Sequence, residues 1–79
     1  MKTVVLYGRE GCCLCEEALA VLSRVRSHTP FSLVEFDIET DEQVHRAYLE
    51  RIPVVTIDGV EAFQYHVEEG ELVRRLSAA

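Results

Sequence analysis

Two cysteines separated by two residues, Cys12 and Cys15, stand where an apolar run gives way to a helical repeat. No other stretch constrains the chain as much. Thr3-Val4-Val5-Leu6-Tyr7 is continuously apolar, the pattern of a strand buried on both faces in a parallel sheet. From Cys13 to about Ser27 the period lengthens. Leu14, Ala18, Leu22 and Val25, flanked by Leu19 and Val21, fall on one helical stripe, while Glu16, Ala20, Ser23, Arg24 and Ser27 face away. Gly8 and Gly11 bracket the connection and let the backbone turn tightly. Cys12 therefore falls at the helix start, with Cys15 one turn further on. Residues three apart share a helix face, so the two sulfurs are placed to approach each other. The free amides and positive dipole end of the helix favour a thiolate at Cys12, and Glu16 and Glu17 in the first turn oppose it. A thiolate beside a partner cysteine is the apparatus of disulfide exchange.

Composition narrows the classes of partner. The formal net charge is -6, with 14 acidic against 8 basic side chains. No basic cluster exceeds Arg74-Arg75, which argues against nucleic acid or an anionic membrane as the main partner. No apolar run approaches the roughly 20 residues that span a bilayer. Met1-Lys2-Thr3 leads straight into a strand pattern without the charged and apolar regions of a signal peptide, so a cytoplasmic location is expected. Three cysteines within four positions cannot staple distant segments, which agrees with a reducing compartment. The length fits a single domain, 1–79.

The rest of the chain supplies partners for the first strand and helix. Thr29-Pro30 closes the helix. Phe31 to Ile38 reads as a second strand, with Val34, Phe36 and Ile38 alternating with Glu35 and Asp37 as on a sheet edge. Thr40-Asp41-Glu42-Gln43 has the spacing of a capping box for a short helix burying Val44, Ala47 and Tyr48. Ile52 precedes a proline, which ends that helix at about Arg51. Pro53 to Ile57 is a third strand. Asp58-Gly59 signals a two-residue hairpin into a fourth, Val60 to Tyr65. Glu68 to Ser77 is a final helix with Leu72, Val73 and Leu76 inward, its first turn weakened by Gly70. The expected order is β-α-β-α-β-β-α, an α/β arrangement of a four-stranded mixed sheet flanked by helices.

At this point the sequence resembles the glutaredoxin branch of the thioredoxin fold, over nearly its whole length. The marks are the strand ending Leu6-Tyr7, the basic Arg9, Cys12-x-x-Cys15, and Ile52-Pro53-Val54 opening a later strand. It is most similar to small glutaredoxin-like proteins whose motif reads Gly-Cys-x-Leu-Cys-Glu-Glu, as Gly11 to Glu17 does. The resemblance implies a thiol–disulfide oxidoreductase with Cys12 as nucleophile and Cys15 as resolving cysteine. It implies a cis Pro53, with the Ile52 backbone and Arg9 binding substrate. No cofactor is expected, with glutathione or a thioredoxin-reductase-type system as candidate reductant. The expected substrates are protein or low-molecular-weight disulfides, and a monomer is the default state. Two departures stand out. The Gly-Gly pair that glutathione-binding glutaredoxins carry after the fourth strand is replaced by Phe63-Gln64-Tyr65-His66-Val67. Cys13-Leu14 replaces the usual proline-aromatic pair between the cysteines.

Other residues leave alternatives open. Cys13 points away from the face shared by Cys12 and Cys15 and is expected to pack inward as a small apolar side chain. The alternatives are a further redox thiol or a metal ligand. His66, in the loop after the fourth strand, is an auxiliary proton acceptor, a ligand or a surface histidine, the last being the expected reading. Tyr7 and Tyr48 read as core. Zinc or an iron–sulfur cluster on Cys12, Cys13 and Cys15 is a second functional class, and a non-catalytic interaction module is a third.

Overall fold

The apolar run at the N-terminus becomes β1 (Thr3–Gly8), an inner strand of a four-stranded sheet. The structure, a computed structural model, describes residues 1–77; Ala78 and Ala79, the end of the expected 1–79 domain, lie outside the described residues. After β1 come α1 (Cys13–Arg26), β2 (Ser32–Asp37), α2 (Glu42–Tyr48), β3 (Val54–Ile57), β4 (Val60–Gln64) and α3 (Glu69–Ser77). One turn of 3-10 helix, Ile38–Thr40, precedes α2. The sheet order is β2-β1-β3-β4, with β2 parallel to β1, β3 antiparallel to β1, and β4 antiparallel to β3. The element order β-α-β-α-β-β-α and the mixed four-stranded sheet are those expected from the sequence.

One sheet face carries the main core. Val4 and Leu6 of β1 and Val55 of β3 pack with Ala18, Leu22 and Val25 of α1, Phe31, and Leu72 of α3. Burying each large aliphatic side chain here is worth about 1.5–3 kcal/mol. Arg24 of α1 reaches Glu69 of α3 at 2.6 Å, an exposed ion pair that ties the two helices together. Such a pair contributes at most ~1 kcal/mol. The opposite face is covered more thinly, through Tyr48 of α2, whose ring centre lies 5.0 Å from that of Tyr7. Phe36 joins them at 5.3 Å from Tyr7. Val5 and Tyr7 are consequently half-buried, and β1 is fully enclosed on one face only.

Several boundaries differ from expectation. Asp41, not Thr40, caps α2: its carboxylate accepts from the amides of Gln43 (2.9 Å) and Val44 (3.1 Å). Thr40 instead donates its hydroxyl to the Asp37 carbonyl inside the 3-10 turn. With the start shifted, α2 ends at Tyr48, short of Arg51, and Ala47 faces solvent. β2 is an edge strand as its alternation suggested, but it stops before Ile38, which is buried at the start of the 3-10 turn. Its Val34 is exposed. The hairpin is as read: Asp58 and Gly59 both take positive φ, 51° and 84°, which the tight turn requires. β4 carries an irregularity opposite Val55 and Thr56 and ends at Gln64. α3 begins at Glu69 because the Glu68 carboxylate caps it through the Gly70 and Glu71 amides.

Candidate active site

The site sits at the end of the sheet where β1 finishes. Strand pairing sets Gly8 opposite Asp37 and Tyr7 opposite Val54, and Val54 in turn opposite Gln64. The β1–α1 connection, the segment before β3 and the turn after β4 therefore meet at one end. Arg9, Cys12, Cys15, Ile52, Pro53 and His66 are all brought there.

Gly11 takes φ +80°, a conformation that costs a non-glycine residue, and so turns the chain into α1. Cys12 follows as the N-cap in extended conformation, and its sulfur accepts a hydrogen bond from the Cys15 amide at 3.2 Å. Cys12 and Cys15 are joined through their sulfurs, with their Cα atoms 5.2 Å apart. The two environments differ. Cys12 is half-buried at the helix start, whereas Cys15 is 7% exposed on the face that packs against the sheet. The buried stripe of α1 runs Cys15, Ala18, Leu22 and Val25, with Leu14 on its flank, and not through Leu14 as the sequence suggested.

Cys13 is a free and exposed thiol. The expectation that it packs inward is overturned for a geometric reason. It lies about 200° around the helix from Cys15, and Cys15 faces the sheet. The expected role of Gly8 also changes. Gly8 does not take positive φ; what matters is that the Cys15 side chain lies directly against it.

The Ile52–Pro53 peptide is cis. Ile52 is half-buried and makes no backbone hydrogen bond among the described residues, so its amide and carbonyl are available at the site. Pro53 is buried, and its carbonyl accepts from the Tyr65 amide at 2.9 Å. Arg9 is exposed and has no ion pair among the described residues. It lines a cleft of about 290 Å³ between α1 and β2, floored by Leu6 and Leu19 and touching Cys15. Neither Ile52 nor Pro53 borders that cleft, so Arg9 and the proline segment flank the cysteines on different sides. His66 is exposed in the turn after β4. Tyr7 and Tyr48 belong to the aromatic layer on the α2 side.

Tyr65 is a site residue that the sequence did not announce. It takes φ +67°, the left-handed region that favours glycine, and it stands in the segment where the resemblance leads one to look for Gly-Gly. Its amide bonds Pro53 and its hydroxyl donates to the Glu50 carbonyl at 2.8 Å. The side chain thus clamps the Glu50–Pro53 segment from the β4 side.

Among the described residues no three His, Cys, Asp or Glu side chains converge as metal ligands. No helix among them is long and apolar enough to cross a membrane.

Residues 3–77 match the Glutaredoxin-like domain (DUF836) family. The chain belongs to that family. Its solved neighbours agree on the fold. This glutaredoxin-like domain is 33% identical to protein Ne2328 from Nitrosomonas europaea, covering 96% of this chain and 92% of that one, with a TM-score of 0.84. It is 26% identical to a structural-genomics target protein from X. campestris, covering 96% of this chain and 97% of that one, at a TM-score of 0.78. A thioredoxin variant from Halobacterium salinarum is 15% identical, with 95% and 71% covered and a TM-score of 0.70, a likeness of fold alone. No curated protein matches the chain significantly.

Proposed function

We propose that this glutaredoxin-like domain is a thiol–disulfide oxidoreductase that cycles Cys12 and Cys15 between dithiol and disulfide. The observation that carries the reading is the asymmetric cysteine pair: a half-exposed sulfur capping a helix, bonded to a buried one a turn later. In the dithiol form the free amides of the helix start stabilise Cys12 as a thiolate. That thiolate attacks one sulfur of a client disulfide, the client S–S bond breaks, and one client thiolate leaves. Cys15 then loses its proton and attacks the Cys12 sulfur, the Cys12–client bond breaks, and the second client thiolate leaves. The client has gained two electrons and the domain has lost them to its own disulfide. Holding the second thiol in place makes this step intramolecular and fast. An external thiol reductant, glutathione or a thioredoxin-reductase-type system, returns the electrons.

The clients are protein or small-molecule disulfides whose extended chain pairs with the unused Ile52 backbone groups, with Arg9 near a client carboxylate. The domain works as a monomer in the cytoplasm, without a resident cofactor. Cys13 faces away from the pair and, among the described residues, no group of three ligands converges, so no observation favours the metal reading.

The test is a thiol count against glutathione redox poise, by alkylation and intact mass with peptide mapping. Reversible loss of two thiols mapped to Cys12 and Cys15 is expected. Cys12→Ser abolishes disulfide reduction, and Cys15→Ser accumulates a mixed disulfide on Cys12. Thiols that stay reduced at every poise, or full turnover by Cys12→Ser, would overturn the assignment and leave a non-catalytic module.

A further inference from the structure

The place where α1 meets the sheet at the site is a contact between the last residue of β1 and a sulfur. A Cβ built on Gly8 would lie 2.8 Å from Cys15 Sγ and 3.1 Å from Cys15 Cβ. Optimal separation of such non-bonded atoms is about 3.5–4.0 Å, so both contacts are repulsive. Gly8 is not among the residues with positive φ, so the backbone there accepts alanine and the obstacle is the cysteine. Cys15 is itself buried on the sheet-facing side of α1, which limits how far it can yield.

The two redox states meet this obstacle differently. In the disulfide the Cys15 sulfur is fixed by its bond to Cys12. In the dithiol the same sulfur is the end of a short side chain that can change rotamer. We infer that Gly8 is a positioning residue for the couple: the absence of a side chain beside Cys15 leaves room for its sulfur to reach Cys12, and a larger residue at this position selects against the disulfide. The inference rests on the proposed redox cycle. It concerns the second step, in which the Cys12–client bond breaks as the Cys12–Cys15 bond forms, the Cys15 proton goes to solvent and the client thiolate leaves. A methyl group at position 8 stands against the sulfur that must make that bond.

Gly8→Ala is compared with the unsubstituted domain in buffers of graded glutathione or dithiothreitol poise, the oxidised fraction being read by alkylation and mass. The expected result is a shift of at least tenfold toward the dithiol, about 30 mV for this two-electron couple, with a longer-lived mixed disulfide during turnover. Thermal unfolding should show a small loss for the reduced variant against the reduced parent, from the remaining contact with Cys15 Cβ, and a larger loss for the oxidised form. A midpoint within twofold of the parent would overturn the inference, as would a reduced Gly8→Ala that fails to fold. A second measurement guards the steric argument. Placed on Cys15→Ala, which removes the sulfur, Gly8→Ala should lose less stability than it loses in the oxidised parent; an equal loss refutes the role of the sulfur. If the unsubstituted domain shows no couple at all, the proposed function fails first, and that outcome is read on the parent alone.

Discussion

Replacing Thr56 by valine tests how the thinner face of the sheet is held. Thr56 is 4% exposed in β3, and its hydroxyl has no hydrogen-bond partner among the described residues. In the unfolded chain that hydroxyl is hydrated, so folding strips it of water without return. A buried hydroxyl left unpaired costs about 1–3 kcal/mol. Valine keeps the shape and the β-branch and removes the polar atom. Part of the gain is lost to imperfect packing of the new methyl, so the expected net stabilisation is about 1 kcal/mol. For a domain of this size that raises Tm by roughly 4–8 °C. Thermal unfolding followed by circular dichroism, with excess reductant so that the cysteines stay as dithiols, gives the answer. Thr56→Ser is the control: it keeps the hydroxyl, loses the methyl and should cost about 1 kcal/mol. A Thr56→Val protein less stable than the parent would show that the hydroxyl is satisfied in solution and that the unpaired-group argument is wrong.

Three further outcomes follow from the same structure. Asp41→Ala removes the cap of α2 and should cost about 1 kcal/mol in urea unfolding, with faster amide exchange at Gln43 and Val44; unchanged exchange would return the cap to Thr40. Tyr65→Phe deletes the bond to the Glu50 carbonyl and should cost about 0.5–1 kcal/mol, with loosened amides confined to residues 50–53 and 65–66; a uniform change across the sheet would contradict the clamp. In α3 the hydrogen bond from Arg74 holds the Glu71 carboxyl below its ordinary value, against an opposing desolvation. A group so depressed adds stability above its unfolded pKa and loses it as pH falls through the folded one. A carboxyl-carbon NMR titration should therefore find Glu71 titrating below the ordinary glutamate range, moving up in Arg74→Ala.

The parts of the fold that local chemistry dictates were legible in the chain. Asp58-Gly59 encodes a turn that needs positive φ twice, and the hairpin followed. The placement of Cys12 at the start of α1 followed from Gly11 and from the change of period. Burial within the helix was harder to read, because Leu14 and Cys15 are adjacent and both apolar. Hydropathy prefers leucine, yet the phase set by Ala18, Leu22 and Val25 admits cysteine, and that choice also fixes Cys13 outward. Thr40 and Asp41 are both good caps one position apart, and only the 3-10 turn engaging Thr40 separates them. Tyr65 was illegible for a different reason: a left-handed tyrosine has no local signature and is held by contacts with Glu50 and Pro53, distant in sequence.

The outward position of Cys13 makes the protein its own counting standard. An alkylating reagent applied in denaturant, which also opens the buried Cys15, adds one Cys13 label to every molecule whatever the state of the pair, since Cys13 is free and exposed. Fully oxidised and fully reduced samples should then differ by two labels above a constant floor of one, and a spectrum with unlabelled molecules reports incomplete reaction before it reports chemistry. The same exposure allows two molecules to join through Cys13 in air. A band of twice the mass on a non-reducing gel is therefore to be assigned by Cys13→Ser before it is taken as a native dimer.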